Sequence, residues 1–292
     1  MATEVRSLIL KVENLHKYYG YGRKNVIKAV NGVSFEVQEG DIFALLGLNG
    51  AGKTTTIRCI LGLCKKDSGD ITYNGKYKIA YVPEGKDLYG SYKVKKMIEI
   101  TKSITQEFDE NKCLKYINEF KIPQNERVLS LSNGQKTQLY LSLVLSQKAD
   151  LYIFDEPTWG LDPVVRNRIL DMIKAIPLEG GTVFYTSHIL SEVERVADKV
   201  AIMHQGRILE IGYLDDIKES FCAVTIERSA SKSSTVPEID GYLYKSTEGE
   251  DIYIVKKAYA EERHLDFQPV PFEVLFEALV LGQKSQEQDK TV

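Results

Sequence analysis

The chain has 292 residues, 43% hydrophobic and 27% charged, which excludes a disordered or collagen-like polymer and allows one large domain or a medium one with an appendage. Its 38 basic and 41 acidic residues give a formal charge of -3, so no global positive field is present to hold a nucleic-acid backbone, and no nucleic-acid partner is expected. No apolar run approaches the roughly 18 residues of a membrane-crossing helix, and no secretory signal opens the chain, so it reads as soluble and cytosolic by itself.

In chain order, residues 8–13 and 33–37 read as partly exposed antiparallel strands, punctuated by Gly20-Tyr21-Gly22 and Glu39-Gly40-Asp41. Four later runs, 42–46, 151–154, 182–186 and 200–203, are short, apolar and separated by helical patterns. Such runs suit strands buried on both faces of a parallel sheet. Residues 89–147 carry Lys, Glu, Leu and Ile at helical spacing, interrupted by Pro123, and predict several helices. Asp162-Pro163 opens another over 164–176, because Asp caps a first turn and Pro fits its first position. Composition shifts near residue 220, where a polar loop at 229–234 precedes strands predicted at 223–226, 242–244 and 252–255. A closing helix places Phe272, Leu275, Phe276 and Leu279 on one apolar face, read as docking on its own domain. Cys59, Cys64, Cys113 and Cys222 show neither metal-ligand nor disulfide spacing and read as ordinary thiols.

Gly47-Leu48-Asn49-Gly50-Ala51-Gly52-Lys53-Thr54 fits G-x-x-x-x-G-K-[ST] directly after the run 42–46 and before a helix. Its glycines let backbone N–H groups wrap phosphates, the helix N-terminus adds positive potential, Lys53 neutralises the terminal phosphates and Thr54 holds Mg²⁺. Thr55, next along that helix, joins the nucleotide contacts. A nucleotide held so needs a second metal ligand and a group that activates water. Asp155 and Glu156, emerging from the apolar run 151–154, supply the two.

With these motifs the chain resembles the ATP-binding subunits of ATP-binding cassette (ABC) transporters. Leu131-Ser132-Asn133-Gly134-Gln135 is similar to that family's signature, though by itself it reads equally as a helix cap. The resemblance implies that Ser132, Gly134 and Gln135 meet the γ-phosphate of ATP held by the opposite subunit. Asn133 stands where a second Gly is usual, and Asn tolerates a positive φ. Gly160-Leu161-Asp162 resembles the loop that crosses to the other subunit, and His188 resembles the switch histidine at the γ-phosphate. Tyr19 resembles the residue stacked on adenine, with Tyr18 the competing candidate. Glu84, in Tyr81-Val82-Pro83-Glu84, replaces a common glutamine; it can bind metal or accept from water but cannot donate as an amide does. Trp159 is read as a packing residue, with an interface contact as the sharper option. Lys93, Lys95 and Lys96 suit either a solvated face or the side facing a membrane subunit.

The resemblance covers about residues 5–220, and the closing stretch from Pro271 to Gly282 is similar to the C-terminal end of export-type members. It implies an α/β fold of the P-loop NTPase type: a parallel-sheet core with an antiparallel β subdomain and a helical subdomain over 1–220, and a small α/β appendage over 221–292. Catalysis falls to Glu156, His188 and Lys53, metal binding to Thr54, Asp155 and Glu84, with ATP and Mg²⁺ as cofactors. The implied assembly is a homodimer or heterodimer of such subunits beneath a separate transmembrane permease, at the cytoplasmic face of the cell membrane. The rival readings are a soluble ATPase acting on ribosomes or DNA, and a regulatory subunit with weak turnover.

Overall fold

The computed structural model describes residues 7–20, 26–227 and 239–284. Tyr21 and Gly22 of the first predicted turn, and the polar loop at 229–234, lie outside the described residues. Two compact units form, Met1–Ile208 and Leu209–Val292.

The first unit opens with β1 (Leu8–Tyr19) and β2 (Ile27–Gln38), an antiparallel pair. After β3 (Ile42–Leu46) and α1 (Lys53–Ile60), β4 (Ser68–Tyr73) adds to the other edge of β1, giving the sheet order β2-β1-β4. The chain continues through β5 (Ile79–Val82), α2 (Val94–Ile104), α3 (Glu110–Glu119), α4 (Asn133–Leu145), β6 (Leu151–Asp155), α5 (Pro163–Ala175), β7 (Thr182–Ser187), α6 (Leu190–Val196), β8 (Lys199–His204) and β9 (Arg207–Tyr213). A six-stranded sheet runs β5-β6-β7-β3-β8-β9, and the pairs from β5 to β8 are parallel.

Every residue of β3, β6 and β7 is buried, so these strands carry no polar-apolar alternation, as in a sheet covered on both faces. Phe35 of β2 stacks on Phe43 of β3 and Phe184 of β7 with ring centroids 5.2 and 5.4 Å apart, which fastens the antiparallel sheet to the parallel one. Register keeps the carboxyl ends of the parallel strands level: Leu46 lies beside Ser187, Asp155 beside Thr186 and Val82 beside Phe154. The loops that follow β3, β5, β6 and β7 therefore leave from one sheet edge, where parallel α/β sheets place ligands.

The three helices α2, α3 and α4 have a core of their own, including Val94, Met97, Ile117, Leu139 and Leu143. Asp109 caps α3 by accepting from the Lys112 N–H at 2.9 Å. Asp162 Oδ1 accepts from the N–H groups of Val164 and Val165, each at 3.0 Å, and Pro163 fills the first position of α5, as the sequence predicts.

The second unit contains α7 (Leu214–Glu219), β10 (Phe221–Glu227), β11 (Gly241–Ser246), β12 (Glu250–Lys256), α8 (Lys257–Glu262), β13 (Phe267–Pro269), α9 (Phe272–Leu281) and β14 (Gln283–Lys284). Its antiparallel sheet runs β13-β10-β12-β11-β14, with α9 packed against β11 and the predicted apolar face of α9 buried. The units part at Ile208 and Leu209, twelve residues before the shift in composition near 220, because the last residues of β9 and helix α7 pack with the second unit. Their half-apolar sequence resembles that of the core, so composition alone carries no sign of the break.

Candidate nucleotide and metal site

Gly47 closes β3 where a Cβ would lie 2.3 Å from the Met203 carbonyl oxygen, so no side chain fits there. Gly52, at φ 110°, is the N-cap of α1 and provides no side-chain cap, leaving the first-turn N–H groups of that helix for an anion. Leu48, Asn49 and Gly50 are exposed between them, and Ala51 is buried beneath. Lys53 is buried and donates to the carbonyl of Gly47 at 2.7 Å, while its Nζ lies 3.0 Å from Glu156 Oε1. Thr54 donates to Asp155 Oδ1 at 3.1 Å, and Thr55 is half-buried one residue on.

Asp155 and Glu156 are 1% and 6% exposed, so neither is a solvated turn residue. Burial raises the Asp155 carboxyl above the ordinary carboxylate range; hydrogen bonds from Thr186 and Thr54 oppose that, whereas the charges of Glu84 and Glu156 add to it. Its Oδ2 is buried with no partner among the described residues, an orphaned acceptor that fits a cation. One carboxylate and one hydroxyl suit Mg²⁺, which takes the rest of its oxygen ligands from phosphates and water. Glu84, the third expected metal ligand, is exposed on the loop after β5.

Glu156 adopts φ 47°, a left-handed conformation that costs a residue with a side chain about 1 kcal/mol or more. Its N–H donates to Thr186 Oγ1 at 3.1 Å, and its carboxylate lies between Lys53 and His188, whose Nδ1 is 2.8 Å from Oε2. Lys53, Thr54, Asp155, Glu156 and His188 thus form one connected set at the sheet edge.

Two further residues enter this set without a motif to announce them. The Lys86 ammonium, two positions past Glu84, donates to the carbonyls of Glu84 at 3.2 Å and Glu156 at 3.3 Å. Burial lowers its pKa, and the charges of Glu84, Asp155 and Glu156 pull it back up. Glu192, four residues beyond His188, is 2% exposed and accepts from Thr158 at 2.8 Å and Ser187 at 3.1 Å, with Arg166 Nε 3.3 Å away. It ties together the segments after β6 and β7; the one sequence signal for it is a carboxylate on a short helix next to the switch histidine.

Tyr19 is 40% exposed at the end of β1, its hydroxyl 3.5 Å from Cys64 Sγ, whereas the Tyr18 hydroxyl is held by His16 Nδ1 at 2.8 Å. Of the two rings, Tyr19 is the one left available for stacking. Ser132 caps α4: its Oγ accepts from the Gln135 N–H at 3.2 Å, and Gln135 Oε1 accepts from the Ser132 N–H at 3.0 Å. The signature is therefore a helix cap in this chain, with Ser132 and Asn133 exposed and open space around Gly134. Asn133 is the first helical residue and is not among those with positive φ, so its tolerance of that conformation is not what admits it. The packing role expected for Trp159 is also overturned: the side chain is 58% exposed, since Glu156 and Gly160, both at positive φ, turn the chain outward around it.

The family described as ABC transporter matches residues 30–159. The ABC transporter ATP-binding protein MJ1023 of Methanocaldococcus jannaschii is 33% identical over 261 residues, covering 87% of this chain and 96% of that protein. The linearmycin resistance ATP-binding protein LnrL of Bacillus subtilis is 36% identical over 226 residues, 72% of this chain and 70% of that one. A solved ATP-binding subunit of an ABC transporter aligns at 29% identity with a TM-score of 0.63, over 72% of this chain and 92% of that one. Taken with the phosphate loop, the paired carboxylates and the level sheet edge, these likenesses show that the chain belongs to the ABC transporter family, as one of its ATP-binding ATPase subunits.

Proposed function

We propose that this subunit hydrolyses Mg-ATP at the site around Lys53 and Glu156 and drives an exporter through a separate transmembrane permease at the cytoplasmic face of the membrane. The observation that carries the reading is the contact of Lys53, Glu156 and His188 beside an uncapped helix N-terminus. Phosphates entering that N-terminus compete with Glu156 for the Lys53 ammonium. Once Lys53 turns to phosphate, Glu156 Oε1 is free to accept a proton from water, which attacks the γ-phosphorus as the bond to ADP breaks. His188 Nδ1 holds Glu156 Oε2, so the carboxylate keeps one orientation. Asp155 and Thr54 are the residues that would hold Mg²⁺, which when bound neutralises charge on the phosphate oxygens. Tyr19 stacks on the adenine, a contact that favours a purine through its π-face.

Ser132, Gly134 and Gln135 act on the ATP of the opposite subunit, in a homodimer or heterodimer. The exposure of Ser132 and half-burial of Gly134 and Gln135 support that division of labour, since a cap at the surface can meet a partner's phosphate. Export is favoured by the acidic residue Glu84 in place of glutamine and by the resistance role in the name of LnrL. No helix among the described residues is long and apolar enough to cross a membrane, and the separate permease is part of this proposal. Two measurements test this. Mg-dependent ATP hydrolysis by the purified protein, lost in Glu156→Gln, supports the ATPase site, and a permease recovered with it from detergent-solubilised membranes supports the assembly. Turnover absent from the wild type would favour the regulatory reading, and ribosomes or DNA recovered in place of a permease would favour the soluble one.

A further inference from the structure

Glu156 has to hold a left-handed backbone with an ordinary side chain, and what fixes that conformation is visible in its contacts. Its N–H is held by Thr186 Oγ1, and its carbonyl accepts from the Trp159 N–H at 3.3 Å and from Lys86 Nζ at 3.3 Å. The first two partners belong to the neighbouring strand and to the turn itself. Lys86 comes from elsewhere: β5 ends level with β6, and the loop after it brings the ammonium across to Glu156 while also donating to the Glu84 carbonyl at 3.2 Å. The Glu84 position cannot itself donate, because a carboxylate lacks the N–H groups of an amide. Lys86 supplies donors in its place, from the same loop.

We propose that Lys86 is a positioning residue for hydrolysis: its ammonium fastens the carbonyl of Glu156 to that of Glu84, so that the loop after β5 sets the backbone, and hence the carboxylate, of the group that activates water. The proposal rests on the reading of Glu156 as that group. A movement of the loop that withdrew Lys86 would remove one of the three backbone partners of Glu156, while the Lys53 bond to the Gly47 carbonyl stays within the phosphate loop.

The test uses the full chain, with steady-state ATP hydrolysis, Mg-free ATP affinity and thermal unfolding measured for each variant. Lys86→Met keeps the aliphatic stem and removes the donors; it should lower kcat about tenfold, with KM for ATP within about twofold, because positioning and not binding is lost. Lys86→Arg should restore kcat to within about threefold of wild type, because it keeps charge and donors. In a Glu156→Gln background Lys86→Met should change the residual rate by less than about twofold, since the group it positions has already been removed. Lys86→Leu, which likewise lacks donors, is read in the same way as Lys86→Met and serves if the methionine variant fails to fold. Wild-type kcat in Lys86→Met, an equal fractional loss in the Glu156→Gln background, or no recovery in Lys86→Arg overturns the proposal. Glu156→Gln with wild-type turnover would sink the reading of Glu156 and this proposal together, whereas an inactive Glu156→Gln beside a fully active Lys86→Met sinks the proposal alone.

Discussion

Around Lys53 the polar side chains are buried or half-buried, and they meet one another: ammonium to carboxylate, carboxylate to imidazole, hydroxyl to carboxylate. Around Ser132 the side chains are exposed or half-buried, and Ser132 and Gln135 hydrogen-bond to each other's backbone in a helix cap. Both regions carry specific motifs, yet the first joins its candidate residues to one another and the second, under the proposed function, is one wall of a site completed by another subunit. A buried polar group without a partner costs about 1–3 kcal/mol, so most polar chemistry that a fold buries is paired within it, and Asp155 Oδ2 is an exception among the described residues. Chemistry that waits for another subunit has to stay in water. The contrast therefore separates what this chain does alone from what needs a dimer.

The sharpest break of that contrast removes the water-activating group and leaves everything else in place. Glu156→Gln should lower ATP turnover at least about 100-fold, as expected for loss of a general base. ATP should then persist, and the ATP-bound dimer should accumulate, seen as a rise in molecular mass by light scattering with Mg-free ATP. A variant that stays monomeric at high concentration would count against the dimer and not against the catalytic set.

Attacking the other region should do the converse. Adding Ser132→Arg to Glu156→Gln places a long cationic side chain where the partner's γ-phosphate would sit, and the dimers should dissolve. ATP binding to each chain's own phosphate loop should stay within about threefold, because no buried contact of Lys53 changes. Loss of ATP binding in this double variant would show that the two regions are not independent.

Glu84→Gln probes the boundary between the regions, and its expected effect is smaller: turnover within about fivefold of the wild type, since Glu156 already holds the position of the base. If Glu84→Gln abolished hydrolysis while Glu156→Gln left it intact, the two carboxylates would exchange roles.

How far each region can be read from sequence follows the same division. Gly47, Lys53, Asp155 and Glu156 stand out as candidates because phosphate chemistry calls for those residue types after apolar strands, and His188 stands out through family resemblance; the structure brings Lys53, Glu156 and His188 into contact. Lys86 and Glu192 are not, because they act through backbone carbonyls or through partners 34 residues distant in the chain, such as Thr158, and neither type of contact leaves a spacing. Trp159 misleads because a large aromatic residue suggests burial, whereas it is exposed in a turn that holds Glu156 and Gly160 at positive φ. β5 is only four residues long and half-exposed, so it reads as the lead-in to Glu84 and not as a strand of the sheet. The division at Ile208 falls inside a strand, where no change of composition could mark it.

The smallest expected effect concerns Asp155, where function and stability oppose each other. Its carboxyl is raised above the ordinary value, chiefly by burial, so the folded protein keeps this proton to a higher pH than the unfolded chain does. Its contribution to stability is therefore fully present below the ordinary carboxylate value and is lost as pH rises through the raised folded value. Once pH has risen through that raised value, the nucleotide-free protein carries a buried charge whose Oδ2 has no partner among the described residues. Asp155→Asn removes that charge, while its amide oxygen can still accept the hydrogen bonds that Thr54 and Thr186 give to Oδ1. Without nucleotide the variant should be more stable than the wild type by about 1 kcal/mol at neutral pH, a rise of a few degrees in Tm, and the difference should vanish in acid. With ATP the order should change, because Mg²⁺ raises the Tm of the wild type and has no carboxylate to bind in the variant. Thermal unfolding across pH, with and without Mg-ATP, checks both halves. An Asp155→Asn protein less stable than the wild type at neutral pH without ligand would mean that the carboxylate is paired in the fold and is not held ready for a cation.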